Sequence, residues 1–266
     1  MALVEHGALR IDVAEAGAGP LVLLAHSSVS GNRQWRRLSE LLSPRFRVRA
    51  PNLIGYGLTP AWTAARRQTI DDGAALLLAL CEGEPGPIRL VGHSWGAVLS
   101  LRAALVLGER CSHLLLYEPM LAGLLRDDPV HWPEVGALYD DVERLGVAGD
   151  WTALARRFTD YFNGDGAWDA TPPERREAVA VALPPNLHEW RAGAPAIGPD
   201  AFAGICARVL LMRGQATRAA AVAMADLLGR SFPPWRREVL PGAGHMGPLT
   251  HAEAFNRRAV DFLLAG

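Results

Sequence analysis

Ser94 lies between glycines in the run Gly92-His93-Ser94-Trp95-Gly96. A serine in the pattern G-x-S-x-G, set between a buried strand and a helix, occupies a turn tight enough to strain its backbone and thrust Oγ outward. Glycine on either side lets the flanking segments approach where a Cβ would clash. The helix N-terminus that follows favours negative charge developing beside it. The chemistry this prepares is nucleophilic attack, which a serine hydroxyl performs only when a base takes its proton. Of the eight histidines, His245 is placed for that task, in the glycine-rich loop Leu240-Pro241-Gly242-Ala243-Gly244-His245-Met246-Gly247-Pro248 after the last expected strand. His6, His113, His131, His188 and His251 are expected in exposed or helical settings, and His93 on the wrong side of the nucleophile's turn.

These two residues need a scaffold that brings position 94 to position 245. Short apolar runs ending at turn residues read as strands buried on both faces of a parallel sheet. They fall at residues 21–25, 47–50, 88–91, 114–117 and 209–212, with 238–240 a weaker last member. Leu9, Ile11 and Val13 alternate with polar neighbours, as in a half-exposed antiparallel strand. Helical patterns at 35–42, 69–81, 97–107, 219–228 and 252–264 alternate with these runs. That rhythm predicts an α/β fold with a doubly wound, mostly parallel sheet. In such a sheet the turn carrying Ser94 and the loop carrying His245 share the carboxyl edge.

From about 123 to 198 the rhythm breaks. Helical fragments, seven prolines and the tryptophans Trp132, Trp151, Trp168 and Trp190 replace strands. So long a structureless loop would be unusual in a compact protein. The segment therefore reads as a helical insertion at 123–198, with 1–122 and 199–266 forming the core.

Composition narrows the function classes. The 266 residues are half hydrophobic and 21% charged, the balance of a globular chain with a sizeable core. A net charge of −1 supplies no field to gather nucleic acid or anionic membrane, so neither partner is expected. All 27 cationic residues are arginine, which we read as a trace of genome composition. Cys81, Cys111 and Cys206 are too few and too scattered for a disulfide framework or a zinc site, and each is expected to fill a small apolar gap. Residues 1–12 carry no basic stretch followed by an apolar run, and no apolar stretch is long enough to span a bilayer. The expected location is a reducing cytoplasm.

Four segments carry a family resemblance: Ala25-His26-Ser27-Ser28, Pro51-Asn52-Leu53-Ile54-Gly55-Tyr56-Gly57, Gly92–Gly96 and Gly242–His245. In order and spacing they resemble the α/β-hydrolase superfamily over nearly the whole chain, with the insertion where that family carries a cap. The resemblance implies Ser94 as nucleophile and His245 as base. It also implies an oxyanion hole built from the backbone N–H of Trp95 and from the loop after the third strand, where Ser28 best matches and Ser27 is an alternative. The family's usual His-Gly is His26-Ser27 here, and its usual aspartate before the Leu-x-Gly-x-Gly run is Asn52. The catalytic acid most often follows the strand at 209–212, yet Thr217 stands where an aspartate is expected. A subset of the family carries the acid one strand earlier, which here falls on Glu118, a charge ending an apolar run and costly to bury unpaired. Asp127 and Asp128 are weaker candidates.

The resemblance implies hydrolysis of a small-molecule carboxylic ester through an acyl-serine, with no metal or organic cofactor. A serine rather than a carboxylate nucleophile argues against epoxide or haloalkane opening. Carbon–carbon bond hydrolysis of a vinylogous diketone is the runner-up, and perhydrolase or cofactor-free haloperoxidase activity is a lesser possibility. A catalytically silent ligand-binding homologue is the non-enzymatic alternative. The tryptophans of the insertion, with Trp95, Leu121 and Leu124, are expected either to line an apolar pocket or to form the insertion's own core.

Overall fold

A computed structural model of the chain describes residues 2–7 and 9–265. Among these, eight strands form one sheet in the order β1-β2-β4-β3-β5-β6-β7-β8. They are β1 (Ala2–His6), β2 (Leu9–Ala16), β3 (Leu21–Ala25), β4 (Arg47–Pro51), β5 (Ile88–His93), β6 (Cys111–Tyr117), β7 (Arg208–Gly214) and β8 (Arg236–Leu240). The first two join antiparallel and all later pairs run parallel. Strand β1 was not expected from sequence. Its residues are largely exposed, so they carry no buried apolar period to read.

Helices α1 (Arg36–Leu42), α2 (Ile70–Ala79) and α3 (Trp95–Leu107) alternate with β3 to β6. Helices α4 (Trp132–Ala148), α5 (Trp151–Asn163), α6 (Ala167–Ala170), α7 (Pro173–Val181) and α8 (Pro184–Gly193) fill the connection between β6 and β7. The chain closes with α9 (Ala219–Ser231), α10 (Gly247–Thr250) and α11 (Ala252–Leu264). No helix among the described residues is long and apolar enough to cross a membrane.

Side chains alternate across a strand, and here both faces are covered. Leu23, Leu90, Leu114, Leu116 and Leu211 pack with Leu76 and Leu77 of α2, Val98 and Leu101 of α3, and Met224 of α9. Their neighbours Val22, Leu24, Val91, Leu115 and Leu210 face the other way, onto Leu38 of α1 and Phe255 and Leu263 of α11. This two-sided burial is why the central strands read as unbroken apolar runs. Val135, Leu138, Val142, Leu154 and Leu187 of the helical connection continue the first of these cores.

Two sequence expectations need correction. His113 is neither exposed nor helical: it sits in β6 and is buried, with Nε2 donating to the Ala265 carbonyl at 2.9 Å. The period of the strand, not the polarity of the residue, decides its placement. Cys206 fills no apolar gap; it is exposed, unlike the buried Cys81 and Cys111.

Backbone packing is tight where β5 turns into α3. A Cβ on Gly96 would lie 2.3 Å from the Ala25 carbonyl oxygen and 2.5 Å from that of His26, and one on Gly92 would lie 2.5 Å from Ala97 Cα. Backbone atoms cannot rotate aside as a side chain can. Gly96→Ala is therefore predicted to destabilise the protein by about 1–3 kcal/mol or more. Gly86→Ala, whose Cβ would meet nothing within 4 Å, should change stability by less than about 1 kcal/mol. Urea midpoints of the two variants check this pair.

Candidate active site

Ser94 occupies the turn between β5 and α3 with φ 56° and ψ −118°, a conformation few L-residues adopt. Its N–H donates to the Tyr117 carbonyl at 3.0 Å, which ties the turn to the end of β6. The residue is 5% exposed. His245 lies in the loop after β8, and its Nε2 stands 3.0 Å from Ser94 Oγ. The other ring nitrogen, Nδ1, is 2.7 Å from Glu118 Oε2. Ser94, His245 and Glu118 thus meet in one hydrogen-bonded row at the carboxyl edge of the sheet.

Glu118 follows β6 directly, also at positive φ (44°). Its carboxylate is fully buried and is met by three donors: His245 Nδ1, the Gly214 N–H at 2.7 Å and the Thr217 hydroxyl at 2.9 Å. These donors offset the cost of taking the charge out of water. Thr217, standing where an aspartate was expected, hydrogen-bonds the carboxylate supplied by the adjacent strand. With that carboxylate accepting from Nδ1–H, the lone pair of His245 points from Nε2 at the serine hydroxyl. Asp127 and Asp128 are not part of this row; Asp128 instead accepts from the N–H groups of Val130 and His131.

The loop that carries His245 is clamped from beneath. Tyr117 donates its hydroxyl to the Gly244 carbonyl at 2.7 Å, and a Cβ on Gly247 would lie 2.1 Å from that same hydroxyl. His93, set aside on sequence grounds, holds the loop too. Its Nε2 donates to the His245 carbonyl at 2.8 Å, which leaves Nδ1 to accept from Gln34 Nε2 at 3.0 Å. Burial pushes the His93 imidazole well below its usual range, and neighbouring His245 adds to this, so the ring stays neutral.

Gln34 in turn accepts from the N–H and hydroxyl of Ser27, both at 3.1 Å. The Ser27 N–H is therefore engaged, whereas Ser28 sends its hydroxyl to Glu189 Oε2 on α8 at 2.5 Å. His26 anchors the start of this loop: Nε2 accepts from the Leu53 N–H at 3.0 Å, and Nδ1 contacts the Ser27 carbonyl at 2.7 Å. Burial lowers this imidazole to about 4. Asn52 donates to Asp12 at 2.7 Å and accepts from the Asn32 N–H at 2.8 Å, a structural tie. Trp95 is the first residue of α3, where a helix leaves its N–H groups without internal partners.

Above Ser94 lies a cavity of about 20 Å³. Its apolar walls are Trp95, Met120, Ala122, Phe158, Phe162 and Trp190. Of the two alternatives for the insertion's aromatics, Trp190 takes the cavity, whereas Trp132, Trp151 and Trp168 pack among the helices; Leu121 and Leu124 belong to the core and do not line this cavity. Phe162 of α5 also covers His245, ring centroids 4.4 Å apart. Beyond Met120 and Phe162 opens a groove of about 450 Å³ lined by His245, Thr217 and Arg218. Sequence patterning missed Phe158 and Phe162, because a helical stripe of aromatics looks the same whether it faces a core or a cavity, and it missed Met120 and Glu189, whose places at the cavity come from contacts distant in sequence.

Residues 22–258 match the profile of the alpha/beta hydrolase family. Lipase LipV of Mycobacterium tuberculosis is 32% identical over 186 residues, which are 68% of this chain and just under two thirds (65%) of that protein. The 2-hydroxy-6-oxo-2,4-heptadienoate hydrolase of Pseudomonas putida is 25% identical over 268 residues, covering 99% of this chain and 96% of its own. Among solved structures, carboxylesterase CesB of Bacillus subtilis superposes with a TM-score of 0.76 over 100% of this chain and 91% of that one, at 21% identity, a likeness of fold. With a profile match spanning β3 to α11, this chain belongs to the alpha/beta hydrolase family.

Proposed function

We propose that this hydrolase cleaves small carboxylic esters through an acyl-serine intermediate. The observation that carries the reading is the unbroken row from Ser94 Oγ through His245 to Glu118, with contacts of 3.0 and 2.7 Å. His245 takes the Ser94 proton as Oγ attacks the carbonyl carbon, and Glu118 holds the imidazole in the receptive tautomer and stabilises its cation. The negative charge on the carbonyl oxygen falls to the N–H groups of Trp95 and Ser28. The engagement of the Ser27 N–H by Gln34 supports Ser28 over Ser27 in that role. His245 then protonates the departing alkoxide, and water enters along the same path to release the acid. Residues 123–198 act as a cap that roofs the site and keeps the bound acyl group small.

Carbon–carbon hydrolysis is favoured as a second reading by the near full-length similarity to the heptadienoate hydrolase. A panel of phenyl esters beside a vinylogous 1,5-diketone decides between the two. Higher kcat/KM on the diketone than on every ester would overturn the ester reading.

Ser94→Ala is predicted to lower ester kcat by at least about 10⁴-fold and to abolish labelling by a fluorophosphonate, read by mass spectrometry of the intact protein. Glu118→Gln should cost about 10³–10⁴-fold in kcat with little change in KM, as the amide favours the wrong imidazole tautomer. Adding Thr217→Asp to that variant should recover at least about tenfold, because Thr217 Oγ1 already lies 2.9 Å from the carboxyl oxygen that faces the ring.

A further inference from the structure

Glu189 is a carboxyl for which the ester-cleaving row has no use. It projects from α8, is 3% exposed, and lines the Ser94 cavity beside Ser28, Trp95, Trp190 and Gly193. Its Oε2 receives the Ser28 hydroxyl at 2.5 Å and Asn186 Nδ2 at 3.2 Å. Its Oε1 and the buried Oδ1 of Asn186 accept no aligned hydrogen bond, although the Tyr56 hydroxyl, itself without another aligned partner, stands beside the carboxyl. The side chains around the carboxyl are those of Ser28, Asn186 and Tyr56, all neutral, and no cation is paired with it among the described residues. Burial accordingly pushes its carboxyl up to about 7. An apolar wall interrupted by one buried carboxyl whose Oε1 accepts no aligned hydrogen bond is the pattern of a pocket that recognises a polar substituent.

The two cavities assign that substituent to one half of the ester. His245 must hand its proton to the leaving alkoxide, so the alcohol departs on the side of His245, which lines the 450 Å³ groove. The acyl group stays on Ser94 and faces the 20 Å³ cavity, whose wall holds Ser28, Trp95 and Glu189. So confined a space suits a short acyl group. We infer that Glu189 Oε1 receives a hydrogen bond from an O–H or N–H donor carried by the substrate's acyl part, so that short hydroxyacyl or aminoacyl esters are preferred over plain alkyl ones. The inference rests on the ester-hydrolase reading and adds to it the chemistry of the acyl group.

Three near-isosteric esters with one leaving group test it: phenyl propionate, phenyl hydroxyacetate and glycine phenyl ester. Their kcat/KM values are measured with the unaltered protein, Glu189→Gln and Glu189→Leu, each variant first checked for folding by its thermal melt. Comparing preferences between proteins cancels the intrinsic reactivity of each ester. The preference for both donor-bearing esters over phenyl propionate should fall at least about tenfold in Glu189→Leu. Glu189→Gln, which keeps a neutral acceptor, should lose preference for the ammonium ester alone. Should the leucine variant not fold, that selective loss in the glutamine variant carries the test. Preferences unchanged from the unaltered protein in the folded variants would overturn the inference and leave ester hydrolysis standing. No turnover of any of the three esters by the unaltered protein would overturn both.

Discussion

The backbone at Ser94, held at φ 56° and ψ −118°, is the constraint on which the site depends. Left to itself the peptide would relax toward helix or strand and carry Oγ away from the imidazole; strain of this kind costs about 1–3 kcal/mol and persists only where the surroundings over-determine it. Here the surroundings are backbone. Gly96 lies against the Ala25 and His26 carbonyls, Gly92 against Ala97, and the Ser94 N–H is bound to the end of β6. Three neighbouring parallel strands, β3, β5 and β6, thereby lock one turn, and the cost is spread over the packing of the whole sheet.

The partners of Ser94 are fixed by the same logic, with hydrogen bonds in place of close packing. Tyr117 and His93 grip the carbonyls of Gly244 and His245 from below, while Gln34 links His93 to the loop carrying Ser27 and Ser28. The chain of contacts runs from β5 to both loops that flank Ser94. Every polar group in it is buried or half-buried, so breaking one link leaves others unsatisfied at a cost of about 1–3 kcal/mol each. Phe162 and Met120 line both the inner cavity and the outer groove and so stand between them.

Much of this was legible before any coordinates, and the exceptions have a common cause. Strands β3, β5, β6 and β7 announce themselves because both faces are buried, whereas β8, exposed over most of its length, gives a weaker signal; the G-x-S-x-G turn is local, needing only a strand before it and a helix after. Thr217 gave no signal of an acid, yet the apolar run ending at Glu118 did, since so buried a charge must have partners. What sequence did not disclose are roles made by distant meetings. His93 meets the carbonyl of a residue 152 positions away, and Ser28 meets Glu189 across 161. No periodicity encodes either contact. Strand β1 escaped because it is an exposed edge held by pairing to β2 and not by burial of a face. The tryptophans at 132, 151 and 168 left two alternatives open, because large aromatics signal burial without saying against what; they pack among the helices and not around the Ser94 cavity.

In the proposed reaction the strained turn delivers the Ser94 hydroxyl to His245 opposite two backbone donors. A crystal structure of the protein treated with an aryl phosphonate, which leaves a tetrahedral phosphorus in place of the attacked carbon, tests it most directly. Phosphorus is expected bonded to Ser94 Oγ, with its anionic oxygen about 2.7–3.1 Å from the N–H groups of both Trp95 and Ser28 and His245 Nε2 facing the Ser94 oxygen. Phosphorus on another residue, or its oxygen turned away from both N–H groups, would contradict it.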